Sequence, residues 1–237
     1  MPLPPKAIEI PSSQSGVASV PETCLAASAV LHDRDGHTVV AHYGSVPGEM
    51  AVCMKSVGLA DHSDYGVFEL RGNRELLDRA LTARIGDPPL ETGSGRRLCG
   101  VWYLRMDARH TLLVGPHAAL RSGATIGRRR DRSDMPNRDI GASMATVGIV
   151  GPRAARLLAS AGLPGDELPI GAIGADAGDR SIVAILRESQ RRYLALVRAD
   201  AADGFWARLL TAGEPLGAAF VGYDALTLLN ASSVDAS

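Results

Sequence analysis

Aromatic residues make up only 4% of this 237-residue chain, too few for the base-stacking surface of a single-strand nucleic-acid binder. Net charge is also scarce: 25 Lys and Arg against 26 Asp and Glu leave −1. Such a balance provides no field to draw in nucleic acid or an anionic membrane. Cysteine is limited to Cys24, Cys53 and Cys99. An odd number at wide spacing fits neither a disulfide framework nor a zinc site, and points to a reducing cytoplasm. No apolar run reaches the length of a membrane span, and the Pro-rich start, Met1–Pro11, has no signal-peptide core. The sequence shows no catalytic-triad signature, phosphate-binding loop, dinucleotide glycine pattern or metal-ligand cluster. What is plentiful is apolar residue, 46%, enough to fill a sizeable core.

Residues 1–23 hold five prolines and read as a loose arm; residues 24–237 read as one domain. Cys24–Leu31 is an apolar run of either strand or short helix. His37–Tyr43 reads as a strand. Pro47–Val57 reads as a helix capped by Ser45 and stopped by Gly58. Tyr65–Arg71 alternates Phe68 and Leu70 against Val67 and Glu69, the period of a strand. Asn73 can cap a helix to about Arg84, with Leu76, Leu77, Ala80 and Leu81 on one face. Leu98–Met106 and Thr111–Gly115 predict a hairpin across Asp107–His110. Arg128–Arg132 sits in a polar stretch ending near Asp139. It reads as a solvated loop, with binding of an anionic ligand tail as the sharper alternative.

The second half is more regular. Ser143–Val150 is a predicted strand, and Gly151-Pro152 opens a helix over Arg153–Ala161 that Gly162 ends. Strands Ser181–Leu186 and Tyr193–Val197 flank the polar turn Arg187–Arg192. Asp200 opens a helix carrying Phe205, Trp206, Leu209 and Leu210. A last strand is expected over Ala218–Leu229. The order β-α-β-β-α-β is the split ferredoxin-like arrangement. The first half starts likewise, with β-α-β-β. The expected class is therefore α+β: two ferredoxin-like β-α-β-β-α-β half-units packed around a central ligand cavity.

Three segments carry a family resemblance. The first is His42-Tyr43-Gly44-Ser45, Glu49–Cys53 and Val57-Gly58-Leu59-Ala60-Asp61-His62-Ser63. The second is Gly148-Ile149-Val150-Gly151-Pro152-Arg153-Ala154. The third is Trp206–Leu210, Ala212-Gly213, Gly217 and Gly222-Tyr223-Asp224-Ala225-Leu226. In order and spacing, over about residues 37–230, they resemble the aminomethyltransferases of glycine cleavage and the folate-binding subunits of sarcosine oxidase. The resemblance implies a folate-binding domain without that family's C-terminal barrel. It implies tetrahydrofolate, or its 5,10-methylene form, as cofactor and a small amine or other nucleophile as substrate. The implied activity is transfer of a methyl, methylene or aminomethyl group.

The chain departs from the family at its working residues. Active members keep an acidic pair before the strand matching Val101–Met106; here those positions are Cys99 and Gly100. The family carboxylate that holds the pterin falls at Tyr193 and Leu194. A late arginine falls near Thr227. These losses favour a degenerate folate-binding domain or a non-catalytic partner chain of a flavin oxidase, like the gamma-type subunit of heterotetrameric sarcosine oxidase. A third reading is the same fold recruited to another reaction.

Each candidate has a structural reading beside its functional one. Cys99 is an inert hydrophobe or a reactive thiol in place of the lost acid. His62, in the polar run Asp61–Asp64, is an exposed turn histidine or a general base. His42, Tyr43 and Asp61 shape local turns or open onto the ligand. Trp102 packs in the core or stacks on a pterin. Tyr193 and Arg191 are a buried ring and a hairpin guanidinium, or replacements for the missing carboxylate.

Overall fold

A computed structural model describes residues 28–86, 89–123, 137–175 and 178–234. The expected N-terminal arm and the Arg128–Arg132 stretch lie outside them. Strands β1 (Val30–Arg34) and β2 (His37–His42) form a separate two-stranded hairpin. Helix α1 (Val46–Lys55) follows; the Ser45 hydroxyl accepts from the Gly48 amide at 3.2 Å, and Pro47 occupies the first turn. Strands β3 (Val57–Asp61) and β4 (Tyr65–Arg71) lead into α2 (Arg74–Ile85), where Asn73 accepts from the Glu75 amide at 2.7 Å. Next come β5 (Ser94–Leu98), β6 (Val101–Asp107), β7 (His110–Pro116), α3 (His117–Gly123) and β8 (Asn137–Asp139). The second half runs β9 (Met144–Val150), α4 (Ala154–Ser160), β10 (Ile173–Gly174), β11 (Ile182–Ser189), β12 (Arg192–Arg198), α5 (Ala202–Gly213), β13 (Ala218–Phe220) and α6 (Tyr223–Val234).

Two sheets organise these elements: β10-β11-β12-β9-β3-β13 and β5-β6-β7-β4-β8. They stack face to face. Trp102, Leu104, Leu112 and Val114 of one meet Ala184, Leu186, Leu194 and Leu196 of the other in an apolar inner core. The outer face of the six-stranded sheet buries Val147, Ile149, Ala195 and Val197 under α4 and α5, with Trp206 fully enclosed. The outer face of the five-stranded sheet buries Leu70, Tyr103 and Leu113 under α2 and α3. The result is four layers, helix–sheet–sheet–helix. Arg105, 2% exposed, ties the outer layer down by donating to Asp78 at 2.8 Å and to the Ala108 carbonyl at 2.9 Å. Breaking such a buried pair from one side costs about 3–5 kcal/mol.

The inner core does not cover all of the six-stranded sheet. Side chains alternate along a strand, so Ala60 and Val150 share the inner face with the residues that meet the second sheet. There they pack against Cys53 of α1 and Leu226 of α6 instead. One sheet face is thus covered in two portions, by a sheet and by a helix pair.

Several expectations are corrected. The middle of the space between the sheets is packed, and the open spaces, each lined by residues of both sheets, lie beside that core. Ala218–Leu229 is not one strand: β13 stops at Phe220 and α6 begins at Tyr223. A short apolar run carries too little periodicity to separate the two states, and the Ala- and Leu-rich segment favours helix. Gly58 does not end α1; Ser56 is its C-cap, and Gly58 lies inside β3. A Cβ on Gly58 would stand 2.7 Å from the Cys53 sulfur, so glycine allows α1 to lie close to β3. Leu98 belongs to β5, which the sequence pattern did not reveal and which turns into β6 at Cys99-Gly100. No helix among the described residues is long and apolar enough to cross a membrane.

Candidate functional site: a cleft at the seam of the two covers

Where the second sheet and the helix pair adjoin, a cleft of about 210 Å³ opens over the inner face of β9, at Gly148 and Val150. Helix α6 contributes Tyr223, Thr227 and Asn230. The five-stranded sheet contributes Tyr65, Arg97 and Pro116. The β11–β12 hairpin contributes Glu188 and Arg192, and the first hairpin brings in Arg34.

Glu188 is held in place: Trp102 Nε1 donates to its carboxylate at 2.5 Å. Burial, then Glu188 and Asp64, push the Tyr65 phenol far above its usual range, so it stays a protonated donor. Arg34 bonds the buried Asp64 carboxylate at 3.1 Å, and its guanidinium lies 3.8 Å from the Tyr223 ring centre, within cation–π range. The His62 ring stacks on Tyr65 at 4.3 Å, with Nδ1 3.8 Å from Asp64. Gly148 makes room for this imidazole: a Cβ there would stand 2.6 Å from His62 Nε2. The cleft thus combines two carboxylates, three guanidinium groups, three phenol rings and an imidazole. Such a set suits a flat polar heterocycle bearing an anionic substituent.

His62 and Tyr65 also line a second cavity of about 220 Å³ on the other side, with His37, His117 and Asp139. Among the described residues no three His, Cys, Asp or Glu side chains converge to hold a metal ion.

The structure distributes the residues singled out in the sequence. His62 lines the cleft. Trp102 packs in the inner core and reaches the cleft through Glu188. Tyr193 lies along the cleft wall, but it is fully buried in the outer core, with the Arg187 guanidinium 5.6 Å from its ring. Arg191 is exposed on the hairpin and borders a separate open groove with Met54 and Ile170. His42 accepts from the Gly44 amide at 3.1 Å, and Tyr43 stacks on Phe220 at 5.4 Å; neither borders the cleft. Asp61 ends β3 opposite Val147, also away from it. Cys99 is exposed at the β5–β6 turn with φ of 49° and lines none of these spaces.

The sequence reading missed Glu188, Arg192, Tyr65, Arg34 and Tyr223. Glu188 left a signal. It continues the period-two series Ala184, Leu186, Glu188, which puts a carboxylate on the inner face.

No family model and no curated protein matches the sequence. Solved structures do match. Aminomethyltransferase T of the glycine cleavage system from Bartonella henselae superposes with a TM-score of 0.70 at 19% identity over 86% of this chain. The chain has the aminomethyltransferase fold. It spans 58% of the length of that protein. A chain of heterotetrameric sarcosine oxidase from Corynebacterium sp. U-96, solved with pyrrole 2-carboxylate, shares the arrangement with a TM-score of 0.58 and 19% identity; 73% of this chain matches 93% of that one. At these identities the likeness extends to the aminomethyltransferase fold and no further.

Proposed function

We propose that the protein binds a reduced folate by its pterin ring in the seam cleft and serves one-carbon transfer to or from a small substrate. The observation that carries this reading is Glu188, anchored by Trp102 inside a cleft of an aminomethyltransferase fold. A carboxylate can take two parallel hydrogen bonds from an aminopyrimidine edge. The sequence alone left no carboxylate at Tyr193 or Leu194. Glu188 supplies one from the neighbouring strand, where the ladder shifts register between Arg187 and Ser189. Arg34, Arg97 and Arg192 suit the acidic tail. The cleft is smaller than the about 300–1,000 Å³ of drug-sized sites, so it takes the ring and leaves the tail outside.

The strand orders support the reading. The series β6-β7-β4-β8 parallels β11-β12-β9-β13 once β3 is set aside. We take them as two related split β-α-β-β-α-β units with the cleft at their margin. The folate would carry the one-carbon unit on its ring nitrogens. His62, beside Asp64, is the group placed to hold or move a proton there. A cytoplasmic location belongs to the same proposal. Calorimetry with tetrahydrofolate tests it. Binding is expected, with Glu188→Gln weakening it about 10- to 100-fold. Absence of binding at millimolar ligand rejects the reading.

A second reading is favoured by coverage: the sarcosine oxidase chain is matched over 93% of its length. On this reading the protein is a non-catalytic subunit of a heteromeric flavin oxidase. It then copurifies with a flavoprotein, and a solitary monomer active in one-carbon transfer excludes it.

A further inference from the structure

The cavity on the far side of His62 and Tyr65 differs from the cleft in charge. The cleft is bordered by three arginines. Among the described residues that line the cavity there is no arginine or lysine; its ionisable groups are three histidines, Tyr65 and Asp139. Two of those histidines form a parallel stack: the rings of His37, from β2, and His117, from α3, lie 3.9 Å apart with 3° between their planes. His37 Nδ1 is buried and has no hydrogen-bond partner. Burial first, then His37, pushes the His117 imidazole below its usual range. Asp139 and Asp64 act in the opposite sense, and Arg121 of the same helix is exposed. The His117 ring thus favours its neutral form, which keeps one nitrogen able to accept.

Two stacked imidazoles, with His117 held toward its neutral form, beside the Asp139 carboxylate are a poor place for an anion, which is best held by positively charged donors. An apolar guest would leave the buried His37 nitrogen unsatisfied, which is costly. A small ammonium group meets every term. It donates to imidazole nitrogen, pairs with the Asp139 carboxylate and gains from aromatic faces.

We propose that this cavity is a binding site for a small organic cation of the methylammonium class, held by His37, His117 and Asp139. The site stands on its own lining and does not rest on the folate reading. Its shared wall has a consequence if both sites fill: His62 and Tyr65 would touch a cation here and a ring in the cleft.

The test is an NMR titration of the histidine side chains in the folate-free protein. Methylammonium chloride is the probe and sodium acetate at equal ionic strength is the anionic control. Methylammonium is expected to shift the His37 and His117 signals saturably, and acetate is not. Asp139→Asn, which keeps the oxygen that accepts from the Gly141 amide at 2.9 Å, is expected to weaken binding about tenfold. His37→Phe keeps a ring against His117 but removes the nitrogens, and is expected to abolish the shift of His117. No saturable shift with methylammonium, an equal response to acetate, or unchanged affinity in both variants overturns the site. Failure of folate to bind the cleft leaves these outcomes intact.

Discussion

Cys53 and Cys99 carry the same thiol in opposite surroundings. Cys53, 5% exposed under α6, has its thiol pushed up to about 11, mainly by burial, with Glu49 adding to the shift and Arg192 opposing it. Cys99 is exposed at a turn. In a Cys24→Ser background, a thiol reagent at mildly alkaline pH is expected to modify Cys99 at once and Cys53 only on unfolding, as mass spectrometry of the two peptides will show. The same burial carries a pH dependence. The folded pKa lies above the unfolded one, so the contribution is fully present below about pH 9 and is lost as pH rises toward about 11. It amounts to at most about 2–3 kcal/mol, and Cys53→Ala should flatten that part of an alkaline stability profile. At this scale the sequence was partly legible. His62 was visible as a titratable group in a polar run. Glu188 was hidden because it looked like part of a polar turn, and only its parity with Leu186 marks it as inward-facing.

Between elements, one buried carboxylate joins three pieces of chain. Glu49 of α1 is 6% exposed; one oxygen accepts from the Tyr43 amide after β2 and the other from the Gly222 amide before α6, each at 2.7 Å. Gly222 is needed at that crossing, because a Cβ would run into the Ala41 carbonyl oxygen. Glu49→Ala removes the acceptor that both amides share and is expected to cost about 2–4 kcal/mol in urea denaturation. Glu49→Gln keeps one acceptor and should lose less. These contacts bring the segment His42–Ser45 and the segment Gly222–Leu226 together. Helices with a cap and a stop, such as Asn73–Gly86, were readable locally. Strands β3 and β5 were not. Each is five residues long, and each becomes a strand because a neighbouring strand satisfies its backbone groups.

At the level of the whole molecule, the inner core belongs to both sheets at once. Leu194 and Leu104 are almost completely enclosed between them. Leu194→Ala is expected to cost about 2–5 kcal/mol. Unfolding should remain a single transition when followed by the fluorescence of Trp102 and Trp206, which sit in different layers. Two separate transitions would show that the sheets fold as independent units.

The sequence by itself determined the α+β class, most of the regular second half, most helix ends and the likeness to the aminomethyltransferase fold, because caps, turns and period-two patterns act over a few residues. Only the tertiary structure decided where the open space lies. A strand shows which of its faces is apolar, but not whether a sheet or a helix pair will cover that face. The cleft exists because β3 and β9 fall under helices while β11 and β12 fall under the second sheet. Arg34, Tyr65, Glu188 and Tyr223 meet at that boundary from four places in the chain, through contacts that no local pattern encodes.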